Sequence, residues 1–262
     1  MNDTAHVPTV RTAAGSSGAT SRRNLLAGVG ALAALSGLAA CAPAAAPEST
    51  PTPSTPVPGT PEEALERLKT GNERFAASAA KHPNQGADAR AGTAEHQAPW
   101  ALVHGCVDSR VAPELVFDQG IGDIFTTRTA GAVLDDTLVG SMEFAAGSPY
   151  EVPVLVILGH TGCGAVTATV EAVAAAPDNP RAPGEVADIV DEIAPVVRAA
   201  DPVEDQKAFI DAVVAANTLA VAEALVERSQ IIRDAVEAGR TRVIAAVYDL
   251  DTGLVDWEPR RS

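Results

Sequence analysis

The stretch VPVLVILGHTGCGAVTATVEAVAAA, residues 152–176, decides the architecture. Its first nine residues are apolar on both sides of the pleat. That pattern belongs to a strand covered by helices on both faces, as in the middle of a parallel sheet. A glycine turn and a run of small helix formers follow, so strand, turn and helix succeed one another without a linker. Three further runs have the same β-branched character: WALVHGC (100–106), DIFTTRT (123–129) and RVIAAVYDL (242–250). Strands that alternate with helices build βαβ units, and YDLDTGLVDW (248–257) reads as a hairpin that adds an antiparallel strand. The expected fold is therefore α/β. A single domain holds a mainly parallel central sheet, with about four parallel strands and an antiparallel edge strand, flanked by helices.

The helices can be placed by their end signals. In TPEEALERLKTGNERFAAS, Thr60 suits an N-cap, Pro61 the first helical position, and Glu62 and Glu63 the positive end of the dipole. Leu65, Leu68 and Phe75 form its apolar side. A long acidic helical stretch runs from about Gly184 to Gly239, with breaks expected near Pro195 and Pro202.

Before the domain, SRRNLLAGVGALAALSGLAAC pairs Arg22 and Arg23 with an apolar run too short for a comfortable membrane span. It resembles a twin-arginine signal joined to a lipoprotein cleavage box, with Cys41 as the lipidated residue. Residues 1–40 are thus expected to be a signal segment, and residues 41–59 a spacer rich in Pro, Ala, Ser and Thr. Residues 60–262 are the folded domain. The expected location is the outer face of the cytoplasmic membrane or secretion. Contact with the membrane is through the lipid only, and an uncleaved N-terminal anchor is the alternative. A formal charge of −15 argues against nucleic acid as a partner, because an acidic face repels phosphate. Aromatics make up only 3% of the chain, so Ala, Val, Leu and Ile must fill the core.

Ligands in open α/β sheets bind beyond the carboxyl ends of the strands. CVDSR (106–110) and GHTGC (159–163) both fall there, which brings Cys106, His160 and Cys163 together. With Cys41 assigned to lipid, Cys106 and Cys163 are a disulfide, a metal pair or unrelated. A disulfide suits an exported protein but leaves His160, Asp108 and Arg110 without a role. Two thiolates and an imidazole are ligands that zinc prefers, and three protein ligands leave a fourth position open for chemistry. Cys106 and Arg110 are too close in sequence for the phosphate cradle of a cysteine phosphatase. A phosphate site at the start of the helix lacks the GK[ST] that would support it.

CVDSRVAPELVFDQGIGDIFTTRTAG, GSMEFA, PVLVILGHTGCGAV and AAVYDLDTGLV resemble successive blocks of the β-class carbonic anhydrases, from about Thr60 to Trp257. The pairing of CxDxR with HxxC at this separation is specific. The resemblance implies that Cys106, His160 and Cys163 bind Zn, and that a zinc-bound hydroxide hydrates carbon dioxide reversibly to bicarbonate and a proton. It gives Asp108 the role of orienting that hydroxide and Arg110 the role of holding Asp108. It places Gln97, Phe125, Ala130, Gly131 and Phe144 around the substrate, with Phe144 where tyrosine is frequent. Pocket walls drawn from two subunits imply a homodimer or a larger homo-oligomer. Two competing functions keep parts of this reading. One is a zinc hydrolase of carbon disulfide or carbonyl sulfide. The other is a non-catalytic exported protein that binds zinc or bicarbonate, which requires a spoiled Asp108–Arg110 pair. His104 reads as a core histidine, and no histidine can be named as a proton shuttle.

Overall fold

The computed structural model describes residues 56–260. The signal segment, Cys41 and most of the spacer lie outside the described residues. The sheet has five strands: β1 (Ala101–Cys106), β2 (Ile124–Thr129), β3 (Val154–His160), β4 (Arg242–Tyr248) and β5 (Val255–Asp256). Their order is β2-β1-β3-β4-β5, parallel throughout except for the antiparallel pairing of β5 with β4. The chain runs from β1 outward to β2 and then returns to place β3 on the other side of β1. A crevice opens between the carboxyl ends of neighbouring strands whose connections leave in opposite directions. Cys106 ends β1 and His160 ends β3, so the topology puts both side chains at that crevice.

β3 is buried along its whole length because both faces are packed. Val154, Val156 and Leu158 meet Leu68, Trp100 and Phe117 on one side. Leu155 and Ile157 meet Met142, Leu225 and Ile232 on the other. Helix α1 (Pro61–Ala76) starts as its sequence dictates, with the Thr60 hydroxyl accepting from the Glu63 amide. Its buried side is built mostly from smaller residues than expected. Ala64, Leu68, Gly71 and Asn72 are buried, whereas Leu65 and Phe75 are only half-buried, since Gly71 lies directly against the Phe117 carbonyl.

The remaining helices are α2 (Ala87–Gly92), α3 (Pro113–Val116), α4 (Asp136–Ala146), α5 (Gly164–Ala175), α6 (Val186–Ala199), α7 (Gln206–Arg228) and α8 (Gln230–Glu237). Pro195 does not break the chain as its sequence suggests, because α6 runs straight through it. Pro195 lies on the exposed face, so the carbonyl it frees can bond to water and the helix survives. The breaks fall at 200–205, which contains Pro202, and at Ser229, whose hydroxyl caps α8 through the Ile232 amide.

Candidate metal centre at the ends of β1 and β3

Cys106, His160 and Cys163 converge in a buried setting, with ligand atoms all within 4.8 Å of one another. The two sulfurs are 3.9 Å apart and both thiols are free. A disulfide needs about 2.05 Å. Two sulfurs on a tetrahedral metal at about 2.3 Å are separated by roughly 3.8 Å, so the observed spacing suits a metal pair. His160 Nδ1 lies 3.0 Å from the Thr161 carbonyl, which fixes the proton on that nitrogen and turns the Nε2 lone pair toward the sulfurs. His160 Nε2 is buried without a hydrogen-bond partner. An orphaned buried acceptor beside two thiols is costly unless something electropositive sits there, and a zinc ion fits that donor set.

One thiol of the pair is prepared for ionisation. Cys163 is the N-cap of α5, where the amides of Ala165 and Val166 favour its thiolate. The Gly131 amide donates to Cys106 Sγ at 3.4 Å. Hydrogen bonding from Cys163 pulls the Cys106 thiol down, while the same contact and burial push the Cys163 thiol up. The pair therefore gives up one proton readily and holds the second until a cation compensates it.

Asp108 sits on the loop after β1, with Oδ2 3.9 Å from His160 Nε2. Arg110 grips its carboxylate: Nε donates to Oδ1 at 2.9 Å, Nη2 to Oδ2 at 2.7 Å, and the Arg110 amide to Oδ1 at 2.9 Å. These hydrogen bonds hold the Asp108 carboxyl well below the ordinary carboxylate range. Arg110 is largely solvent-exposed and Asp108 is not, so the pair forms the lip of the crevice with the carboxylate on the inner side.

Residues 130–132 form a short 3-10 turn after β2, in which Gly131 takes φ +68° and lies against Ala165 and Ile193. His104 is the core histidine expected, with Nδ1 3.0 Å from Thr127 Oγ1 and Nε2 3.0 Å from the Ala132 carbonyl, and burial lowers its pKa. Several side chains that brace the site carry no sequence motif. Arg128 donates to the carbonyls of Cys106 and Asp108, fixing the whole CVD loop. Asn217 donates to the Gly131 carbonyl at 3.0 Å. Their contacts join residues far apart in sequence, which leaves no local pattern to read.

The sequence matches the carbonic anhydrase family over residues 101–255. It is 41% identical over 193 residues to carbonic anhydrase 2 of Mycobacterium tuberculosis, covering 74% of this chain and 90% of that protein. Carbonic anhydrase of Mycolicibacterium smegmatis is 40% identical over 200 residues, 75% of this chain and 92% of that one. The chain belongs to the β-class carbonic anhydrases. Its fold agrees: the Coccomyxa β-carbonic anhydrase superposes with a TM-score of 0.55 at 22% identity, covering 76% of this chain and 86% of that one. The Aspergillus fumigatus β-carbonic anhydrase CafA gives 0.56 at 21%, over 74% and 90%.

Within one chain of this carbonic anhydrase, the expected substrate residues divide into two groups. Gly131 adjoins the metal centre through its amide on Cys106 Sγ, and Ala130 precedes it in the same turn. Gln97, Phe125 and Phe144 do not. They gather around Tyr150, whose hydroxyl accepts from Gln97 Nε2 at 3.0 Å and whose ring is 5.1 Å from Phe125 and 5.2 Å from Phe144. In the parallel register, Phe125 is level with Leu102 and Thr129 with Cys106. Four residues of strand therefore put Phe125 about 13 Å from the level of Cys106. Phe144, 59% exposed, is no core residue.

Proposed function

We propose that this carbonic anhydrase works as a zinc enzyme in which Cys106, His160 and Cys163 hold the ion. Asp108 and Arg110 then govern the open face of the site. The observation that carries the reading is the buried, unpartnered His160 Nε2 facing two thiols at metal-pair spacing. Bound zinc supplies Lewis acidity that brings a water's ionisation close to neutral pH. Asp108 supplies an acceptor oxygen beside the triad, which orients the nucleophile toward carbon dioxide. Arg110 keeps that carboxylate from turning inward as a fourth ligand. The Gly131 amide and the start of α5 stabilise the thiolates, and the Arg128 guanidinium holds the loop that carries Cys106 and Asp108.

The reading includes a dimer. Gln97, Phe125 and Phe144 lie away from their own chain's triad, and the partly exposed aromatic cluster they form with Tyr150 suits contact with a second copy. Stopped-flow hydration of carbon dioxide tests the whole proposal on one sample, checked by sedimentation. Zinc-loaded dimer should turn over, chelator-stripped protein should not, and returned zinc should restore the rate. Full activity after stripping, or in a monomer, would contradict the respective part.

A further inference from the structure

Helix α7 passes behind the metal centre and touches two of the turns that surround it, the one at Gly131 and the one between His160 and Cys163. Asn217 reaches the Gly131 turn, and Asp211, about 1.7 turns earlier on the same helix, reaches the loop between His160 and Cys163. Asp211 Oδ1 accepts from the Gly162 amide at 3.1 Å, and Oδ2 accepts from Lys207 Nζ at 2.9 Å, an i,i+4 pair along the helix. Gly162 lies between the two ligands, at φ +62°.

Other polar groups of this loop are anchored by the sheet edge and by α5. The Thr161 amide donates to the Tyr248 carbonyl, its hydroxyl accepts from the Leu250 amide, and its carbonyl faces His160 Nδ1. The Cys163 carbonyl accepts from both the amide and the hydroxyl of Thr167. The Gly162 amide, at the exposed apex, is held from the other side by Asp211.

We propose that Asp211, steadied by Lys207, is a positioning residue that fixes the Gly162 peptide and so sets His160 and Cys163 at metal-binding spacing. A left-handed glycine between two ligands has wide conformational freedom, and metal sites tolerate ligand displacements of only about 0.2 Å. A hydrogen bond on its amide removes that freedom. The inference rests on the zinc reading above.

The test compares Asp211→Ala and Asp211→Asn with wild type in the full chain, by two readouts. One is the rate at which zinc-loaded protein gives up zinc to a competing chelator. The other is hydrogen exchange at the Gly162 amide in metal-free protein. Outer-shell partners typically alter metal affinity by about 10–100-fold. Asp211→Ala should release zinc faster by about 10-fold and lose protection at Gly162. Asp211→Asn, whose amide oxygen still accepts from Gly162, should recover most of both. Wild-type zinc release or unchanged Gly162 exchange in Asp211→Ala would overturn the proposal, as would an Asn variant no better than Ala. If wild type takes up no zinc, the zinc reading fails, and exchange at Gly162 still decides whether the latch exists.

Discussion

In the proposed mechanism Asp108 is the residue on which the chemistry turns, because Arg110 and the metal would compete for its carboxylate. Arg110 now holds it with a two-pronged side-chain grip and a backbone amide, yet Oδ2 is already 3.9 Å from His160 Nε2. Asp108→Asn should keep its zinc and lose turnover by about 100-fold, since an amide cannot accept on both sides. Arg110→Ala should also keep zinc but lose turnover, because the freed carboxylate swings onto the metal. Hydration rate measured beside zinc content separates the cases, and near-normal turnover in Arg110→Ala would end the restraint model. The pH dependence has a definite sign. The Asp108 pKa is lowered on folding, so the pair's contribution to stability is present above about pH 4 and fades as pH falls below it. In metal-free protein, where the freed carboxylate has no ion to bind, Arg110→Ala should remove that acid-sensitive part of the unfolding curve.

At the scale of elements, the strand that carries His160 is shaped by the helix packed on it. Gly159 has no room for a side chain, because a Cβ there would stand 2.1 Å from Thr218 Oγ1 and 3.2 Å from Val214 Cγ1. Gly159→Ala should therefore force β3 and α7 apart and lower stability by about 1–3 kcal/mol. Thr218→Ala should recover part of that loss in the double variant, a coupling that thermal melts can measure. Fully additive losses would show that the contact is not the cause. The strands were legible in sequence because each is a short apolar run between turn signals, and the two ligand loops because cysteine, histidine and aspartate stand at strand ends. Pro195 misled because a proline's effect depends on which face of the helix it occupies. Arg128, Asp211 and Asn217 were invisible because a polar residue in a helix or strand looks the same whether it faces water or braces a distant loop.

The whole molecule joins the crevice that holds Cys106, His160 and Cys163 to a separate, partly exposed aromatic surface around Tyr150. The α/β sheet and the ligand triad follow from strand order and strand ends, whereas the separation of Gln97, Phe125 and Phe144 from that triad emerges only from the register of β1 with β2. Everything proposed for the crevice depends on what occupies it. X-ray absorption at the zinc edge, on purified full-length protein, measures that directly. The account predicts about one zinc per chain, with two sulfur neighbours at about 2.3 Å and one imidazole nitrogen at about 2.0 Å. Protein that is active without zinc, or that carries Cys106 and Cys163 oxidised to each other while active, would contradict it.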